Sequence, residues 1–487
     1  MKKIINDIKS IPSCNLICIL IIIPFFMLLT SFAVDNDFWF TINQGRYVIE
    51  NGFPIKAINS IHDLDFIYQS WGSGVLFYLI YHYLGNYGII AFLIIISELL
   101  AFFFYKTCMV VSNNKRLSLL LTIMVMILYC TCFFTTRPHI FTTLNMVIMF
   151  YLLEKYYHTL NKKYLLFVPL IGLLQINMHG IYFILLLVFM GTYLVDSFKI
   201  KIGKIETQNI KKKELIVTFV ATLLVGLINP YTYKTIIYGF SSYSSSGTMN
   251  NMIIELLAPN FHDTIGRVFI LTIIVVNILY FKSHKKISVR HYLLLLGTSY
   301  LAFDALKSFW LFLFSSLFPL AYILSKDNEL KEHIYSKKYY VTQYLIAFCV
   351  IMGIVLNITI SSLPDSDKFI NYLDKIVIDK EKTKLYTGFA DGSYAQWRGY
   401  FTYIDPRAEV FLKSNNHKFD ILEEYNDLQK LKIDYRDFLN KYQFDYLFIS
   451  KEDEVLYSLL KIDNMGYEIL LEDDNYQLFG IKKAISN

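Results

Sequence analysis

Charge is scarce in this chain of 487 residues. Only 18% of them are Asp, Glu, Lys or Arg, where a soluble domain has about a quarter. Hydrophobic residues make up 55% and aromatic residues 17%. The balance excludes an ordinary soluble protein and, with a mean hydropathy of +0.42, predicts an integral membrane protein. Cysteine is as sparse, and Cys14, Cys18, Cys108, Cys130, Cys132 and Cys349 all lie in or beside apolar runs. That leaves neither a disulfide framework nor a zinc-site spacing. The net charge of +6 is not a nucleic-acid footprint, because the basic residues sit between apolar runs, where the positive-inside rule accounts for them. No internal repeat is visible, which weighs against an inverted-repeat transporter.

What is present is a series of apolar runs near 15–34, 86–110, 117–134, 141–157, 165–178, 180–197, 215–230, 266–282, 291–304, 308–325 and 341–360. A span needs roughly 17–25 such residues, so about eleven membrane helices are expected. Lys2, Lys3 and Lys9 hold the N-terminus in the cytoplasm. The basic connections around Lys115/Arg116, Lys162/Lys163, Lys199 to Lys213, Lys285/Lys286/Arg290 and Lys331 to Lys338 fall on the same side. Parity then places the C-terminus outside the cell membrane. Ser31-Phe32-Ala33 has the look of a signal-peptide cleavage site, but the run before it exceeds the roughly 7–15 residues of a signal core and reads as a span.

The expected architecture is a polytopic α-helical domain over 1–360 and an extracytoplasmic α/β domain over 361–487. Two outer loops stand out, 35–72 and 231–266. In the first, Trp39, Ile42, Arg46, Tyr47 and Ile49 are spaced like an amphipathic helix, stopped by Asn51-Gly52 and Pro54. The aromatic run 75–84, ended by Gly85, reads as an interfacial or half-inserted helix. In the second, the Ser-rich stretch 241–247 reads as an ordinary surface loop or, second to that, a mobile lid. Beyond 361, strands are expected at 384–388 and 446–450, helices at 419–431 and 452–462, and a hairpin around Glu472-Asp473-Asp474-Asn475.

The most informative residues are Asp35-Asn36-Asp37, at the outer end of the first span. A carboxylate costs about 2.5–3.5 kcal/mol at the bilayer centre, so this pair sits at the water boundary, the depth at which a lipid-borne substrate arrives. Such a pair can bind a hard divalent cation such as Mg or Mn or abstract a proton from a hydroxyl; the sequence requires no cofactor. Arg137, His139 and His179 lie at outer span ends. Arg137 suits a two-pronged phosphate contact or simply snorkels. Asn177 and His179 serve a site or satisfy helix packing, and Arg46 is spaced to pair with Glu50. Trp397, Tyr400, Tyr403, Asp405, Arg407 and Glu409 form either a carbohydrate-binding face or a structural Arg–carboxylate network.

Asp35-Asn36-Asp37-Phe38-Trp39, then Gly45-Arg46-Tyr47, Gly52-Phe53-Pro54 and Gln69-Ser70-Trp71, resembles the first outer loop of GT-C-type glycosyltransferases, in particular bacterial relatives of the protein O-mannosyltransferases. Arg137-Pro138-His139, Asn177-Met178-His179-Gly180 and Asn229-Pro230-Tyr231 resemble span ends of that group, and Asp405-Pro406-Arg407-Ala408-Glu409 its soluble segment. Ser70 departs from the pattern, which often has glutamate there. The resemblance implies a membrane glycosyltransferase that moves a sugar, with inversion, from a polyprenyl-phosphate-linked donor to an envelope polymer, lipid or protein outside the cell. It implies Asp37 and Asp35 as catalytic residues and as the metal ligands if there is a metal. Donor phosphate or substrate would fall to Arg137, His139, Asn177, His179, Gln69, Trp71 and Arg46. The partners implied are the bilayer, the lipid-linked sugar and the acceptor. Two other readings compete. A transporter or flippase of lipid-linked saccharide draws on Glu98, in mid-run. A non-catalytic membrane protein with an exported binding domain leaves the acidic pair unexplained.

Overall fold

A computed structural model describes residues 12–31, 36–208, 210, 212–244, 249, 253–325, 336–357, 363–451 and 453–481. It is mostly helical. The principal helices are α1 (Ser13–Ser31), α2 (Asn36–Asn51), α3 (Trp71–Ser112), α4 (Lys115–Phe133), α5 (His139–Thr159), α6 (Val168–Met178), α7 (Phe183–Asp196) and α8 (Lys212–Val225). They continue with α9 (Tyr233–Ser244), α10 (Thr264–Lys282), α11 (Val289–Asp304), α12 (Phe309–Ser316), α13 (Phe318–Leu324) and α14 (Lys337–Asn357). The last are α15 (Asp367–Ile376), α16 (Gly392–Trp397), α17 (Ile421–Gln429) and α18 (Tyr435–Tyr442).

Each expected apolar run carries a helix. Among the described residues four helices are long and apolar enough to cross a membrane, namely α3, α4, α10 and α14. A fifth results if α12 and α13, bent by 46°, form one span with the preceding turn. Pro319 lies in the first turn of α13, where its missing N–H and its ring break the continuous helix. Ser13–Phe26, Lys163–Met178 and Gly180–Asp196 are shorter apolar helical stretches. The chain is a membrane protein.

Two compact units are present. The first comprises Met1–Phe32, Tyr87–Thr232 and Ile254–Ile360. In it α1 packs on α4 and α14, α6 on α5 and α8, and α11 on α7 and α12. Its least expected feature is a buried ionic network joining α5, α7 and α11. The Arg290 guanidinium donates from Nε and Nη2 to the two oxygens of Glu154, both at 2.9 Å, and from Nη1 to Asp196 at 2.8 Å. His291 Nε2 lies 2.8 Å from Glu154 Oε1, and the Tyr193 hydroxyl donates to that oxygen at 2.9 Å. Glu154 and Asp196 are fully buried and Arg290 is 1% exposed.

The second unit comprises Ala33–Asn86, Tyr233–Ile253 and Ser361–Asn487. Its strands are β4 (Lys384–Thr387), β5 (Phe401–Thr402), β6 (Tyr446–Ser450), β7 (Tyr467–Glu472) and β8 (Tyr476–Ile481), after three two-residue strands, β1 (Lys201–Ile202), β2 (Ile205–Glu206) and β3 (Ile287–Ser288), in the first unit. The large sheet has the order β5-β4-β6-β8-β7. Strands β5, β4 and β6 are parallel, and β8 and β7 add on antiparallel. Every residue of β6 is buried, which is why it reads as an unbroken apolar stretch rather than an alternating one. The hairpin turn is fixed by Asp473, whose Oδ1 accepts from the backbone N–H of Asn475 and Tyr476 at 2.8 Å.

The first outer loop is built into this second unit. Helix α2 packs on α16, Ser60 bridges Thr402 of β5, and Ile61 N–H donates to Thr402 O at 3.1 Å. Gly45 permits the close approach of α2 to the start of α3, because a Cβ there would lie 2.1 Å from Gly74 O. Helix α3 is broken at Gly85 (φ 59°, ψ −155°), so residues 71–84 form the short separate helix its aromatic run predicts. That backbone conformation is essentially closed to any residue with a Cβ.

Candidate functional site

Asp35 lies outside the described residues. Asp37 stands half-buried in the first turn of α2, where the unpaired backbone N–H groups and the helix dipole favour a negative charge. The Thr41 hydroxyl donates to Asp37 O at 2.7 Å and secures that turn. The next residues of α2 anchor it, since Phe38 and Trp39 are fully buried and Trp39 meets Tyr394 edge-on at 4.8 Å between ring centroids.

Arg46 follows nine residues later, about 13 Å along the axis, and does not join Asp37. Instead of pairing with Glu50, its Nη2 donates to Asn43 Oδ1 at 2.7 Å and to Trp397 O at 3.1 Å. Its guanidinium lies 4.3 Å above the Trp397 ring. Gln69 is buried, and Trp71 packs edge-on against Phe53 at 5.2 Å.

The aromatic and charged residues 397–409 form an internal network rather than a face. Tyr400, Tyr403 and Asp405 are fully buried and Arg407 is 2% exposed. Arg407 donates from Nε and Nη2 to the two oxygens of Asp405, at 2.7 and 2.6 Å, and from Nη2 to Ile58 O at 3.3 Å. Gln396 Nε2 donates to Asp405 Oδ2 and Thr402 Oγ1, both at 2.8 Å. The pair clamps the first outer loop to the sheet. His62 adds to the seam, with Nε2 3.0 Å from Tyr403 O; burial lowers its pKa to about 4, against a smaller opposing effect of that hydrogen bond. Behind the sheet, burial raises Asp453 to about 6 although Tyr386 and Gln429 donate to it.

In the first unit the structure gathers His139, His179 and a set of amides and hydroxyls that the sequence alone did not single out. His179 Nδ1 lies 2.8 Å from Thr142 Oγ1, one turn after His139. Gln175 Nε2 donates to Thr142 Oγ1 at 3.0 Å and to His179 O at 2.7 Å, and Asn145 Nδ2 donates to Gln175 Oε1 at 3.1 Å. Tyr182 packs on His179 at 4.8 Å and on Trp310 at 5.9 Å. The Lys307 ammonium is an electrostatic neighbour of His179. His139 Nε2 itself lies 2.8 Å from Phe133 O. Asn177 donates to Leu173 O and Ile228 O at 2.9 Å, tying α6 to the turn after α8.

Arg137 Nη1 bridges the two oxygens of Glu255 at 3.2 and 3.1 Å, on an exposed surface. The spacing of Thr142 after His139 was a legible signal for the polar cluster; nothing near Glu255 marks it as the partner of Arg137. Among the described residues no group of three or more His, Cys, Asp or Glu is placed to hold a metal ion.

No protein-family model matches the sequence, and no curated protein matches it. Solved structures do. The oligosaccharyltransferase of Archaeoglobus fulgidus in its apo form superposes with a TM-score of 0.53 at 11% identity, over 91% of this chain and 70% of that one. The same enzyme tethered to an acceptor peptide gives 0.56 at 12% identity, over 90% and 69%. AglB, the enzyme from the same organism, in complex with an inhibitory peptide and a dolichol-phosphate, gives 0.53 at 10%, over 90% and 70%. These are GT-C superfamily glycosyltransferases, and at such identities the likeness is one of fold.

Proposed function

We propose that this chain, which has the GT-C fold, is a membrane glycosyltransferase. It takes a sugar from a polyprenyl-phosphate-linked donor and transfers it, with inversion, to an envelope polymer, lipid or protein on the outer face of the cell membrane. The observation that carries the reading is Asp37, held in the first turn of an anchored helix within a chain of this fold. The neighbour that binds dolichol-phosphate and an inhibitory peptide supports the choice of donor class.

In this reading the Asp37 carboxylate takes the proton of the acceptor hydroxyl as its oxygen bonds to the anomeric carbon. The bond from that carbon to the phosphate oxygen breaks, and its electrons leave with the polyprenyl phosphate. Arg137 supplies two N–H groups to that charge, exchanging Glu255 for phosphate. An exposed pair of this kind holds about 0–1 kcal/mol, so the exchange is inexpensive. His139, Asn177 and His179 shape the donor side; Gln69, Trp71 and Arg46 support the acceptor side. About eleven spans, an N-terminus inside and the segment 361–487 outside as an α/β domain complete the proposal. If a divalent cation serves, Asp35 and Asp37 hold it, and chelation then abolishes transfer that Mg or Mn restores.

The test is transfer of a labelled sugar from a polyprenyl-phosphate donor in membranes. Asp37→Asn is expected to abolish transfer with expression and insertion unchanged, and Arg137→Lys to impair it. Full activity in both Asp35→Asn and Asp37→Asn would remove the acidic pair from the mechanism. Transport of a lipid-linked saccharide is favoured by one observation only: Glu98 lies within α3, and its Oε1 has no hydrogen-bond partner among the described residues.

A further inference from the structure

Helix α9 has two opposed faces, and among the described residues only one is covered. Thr235 and Tyr238 are 1% and 4% exposed, and this face packs on the short helix Lys413–Asn416. There the Ser241 hydroxyl donates to Asn415 Oδ1 at 2.7 Å. On the other face Tyr233, Ile237 and Phe240 are 55%, 56% and 58% exposed. They follow the i, i+4, i+7 spacing of a single helical stripe, with Ile236 half-buried beside them. Three large apolar side chains at that exposure, aligned on one helix, call for an apolar partner.

The chain itself indicates which one. Helix α8 carries a stripe of exposed apolar residues, Val217, Val220 and Leu224, that continues through Leu227 and Ile228 at 45% and 59% exposure. In a membrane protein such a stripe faces lipid. Residues 226–232 alone separate α8 from α9, a tether of at most about 25 Å even when extended. It is shortened here by the turn in which Thr232 N–H donates to Asn229 O. Helix α9 also has the composition of an interfacial element, with tyrosines, Phe240, one lysine and no acidic residue. Lys234 sits at the edge of the exposed stripe, where it can reach lipid phosphates.

We propose that α9 lies in the membrane surface, with Tyr233, Ile236, Ile237 and Phe240 sunk into the headgroup–acyl boundary of the leaflet reached by the C-terminal end of α8. Its opposite face holds the segment Lys413–Asn416 through Ser241 and Asn415. The helix is thus an anchor that keeps part of the sheet-bearing unit at the lipid surface. This inference stands whether or not the chain transfers a sugar.

Nitroxide labelling of the full chain tests it. Of the cysteines, Cys349 is exposed and Cys132 half-buried, whereas Cys14, Cys18, Cys108 and Cys130 are buried. Single labels at Ile237→Cys and Phe240→Cys are therefore placed in a Cys132→Ser/Cys349→Ser background. The protein is reconstituted into phosphatidylethanolamine–phosphatidylglycerol vesicles. Leu271→Cys, on the exposed face of α10, serves as the lipid reference, and Ile462→Cys, at a residue 83% exposed, as the water reference. The ratio of collisions with oxygen to collisions with a water-soluble nickel chelate is expected to be several-fold higher at 237 and 240 than at 462, and to approach that at 271. A ratio at 237 and 240 equal to that at 462 overturns the proposal. So does exclusion of both agents, which would mean that protein covers the stripe. Both substitutions lie on an exposed face, so neither disturbs the core.

Discussion

Arg290 lies in a stretch of basic residues that reads as a solvent-facing loop, yet it is buried and held by two carboxylates. Its charge is matched within the protein by Glu154 and Asp196. Removing one member of a buried ion pair leaves the other charged and desolvated, at a cost of about 3–5 kcal/mol. Arg290→Met is therefore expected to destabilise the first unit severely, by a large fall in thermal midpoint in detergent, whereas Lys286→Met, at an exposed pair with Glu206, leaves it nearly unchanged. Equal midpoints for the two variants would deny the network its structural role. Asp453 gives a second expectation at this scale. Burial raises its pKa to about 6 in the folded protein, so the folded state keeps the proton that an unfolded chain releases near pH 4. Stability then falls as pH rises from about 4 to 6, by roughly 3 kcal/mol for a displacement of this size. Asp453→Asn removes that slope, which is read as the difference between wild-type and variant denaturation at pH 4, 5, 6 and 7.

Helix α2 carries the acidic pair's described member and is fastened at both faces. A methyl group at residue 45 has nowhere to go, because Gly74 O already occupies the space. Gly45→Ala is expected to cost about 1–3 kcal/mol by overpacking, and a variant as stable as wild type would show that the two helices separate freely. The seam between the first outer loop and β5 responds to acid in the sense opposite to Asp453. His62 has its pKa lowered to about 4 from an ordinary value near 6.5. Its contribution is complete above pH 6.5 and is lost as pH falls toward 4, by at most about 3 kcal/mol and less because the ring is half-buried and screened. Hydrogen exchange at the Ile61 and Thr402 amides, which close this seam, is expected to rise on acidification more in wild type than in His62→Phe at the same pH. A matching rise in both would free His62 of that role.

The whole molecule combines an apolar helical unit with a unit in which segments 33–86, 233–253 and 361–487 come together. Because the proposed activity uses a donor delivered from the membrane, the position of residues 361–487 is decisive. A membrane-impermeant maleimide is expected to label Ile462→Cys on intact cells, again without Cys132 and Cys349. Labelling only after permeabilisation would place that segment in the cytoplasm and change the number of spans by an odd number.

The sequence by itself determined what depends on neighbours along the chain. Apolar runs became helices because a span must satisfy its own backbone in lipid. Strand β6 and the hairpin β7–β8 lie where an apolar stretch and an Asp-Asp-Asn turn place them, and Gly85 breaks α3 where the aromatic run ends. The composition predicted a membrane protein, and the loop motifs resembled the superfamily whose fold the chain has. Tertiary structure alone decided what depends on residues far apart in sequence. Arg46 turned to Trp397 rather than Glu50, Arg137 to Glu255, Arg290 to Glu154, and Arg407, beyond its neighbour Asp405, to the carbonyl of Ile58. A guanidinium can satisfy its donors with any carboxylate or carbonyl that packing brings within reach, and that choice is made by how helices and strands meet, not by spacing along the chain.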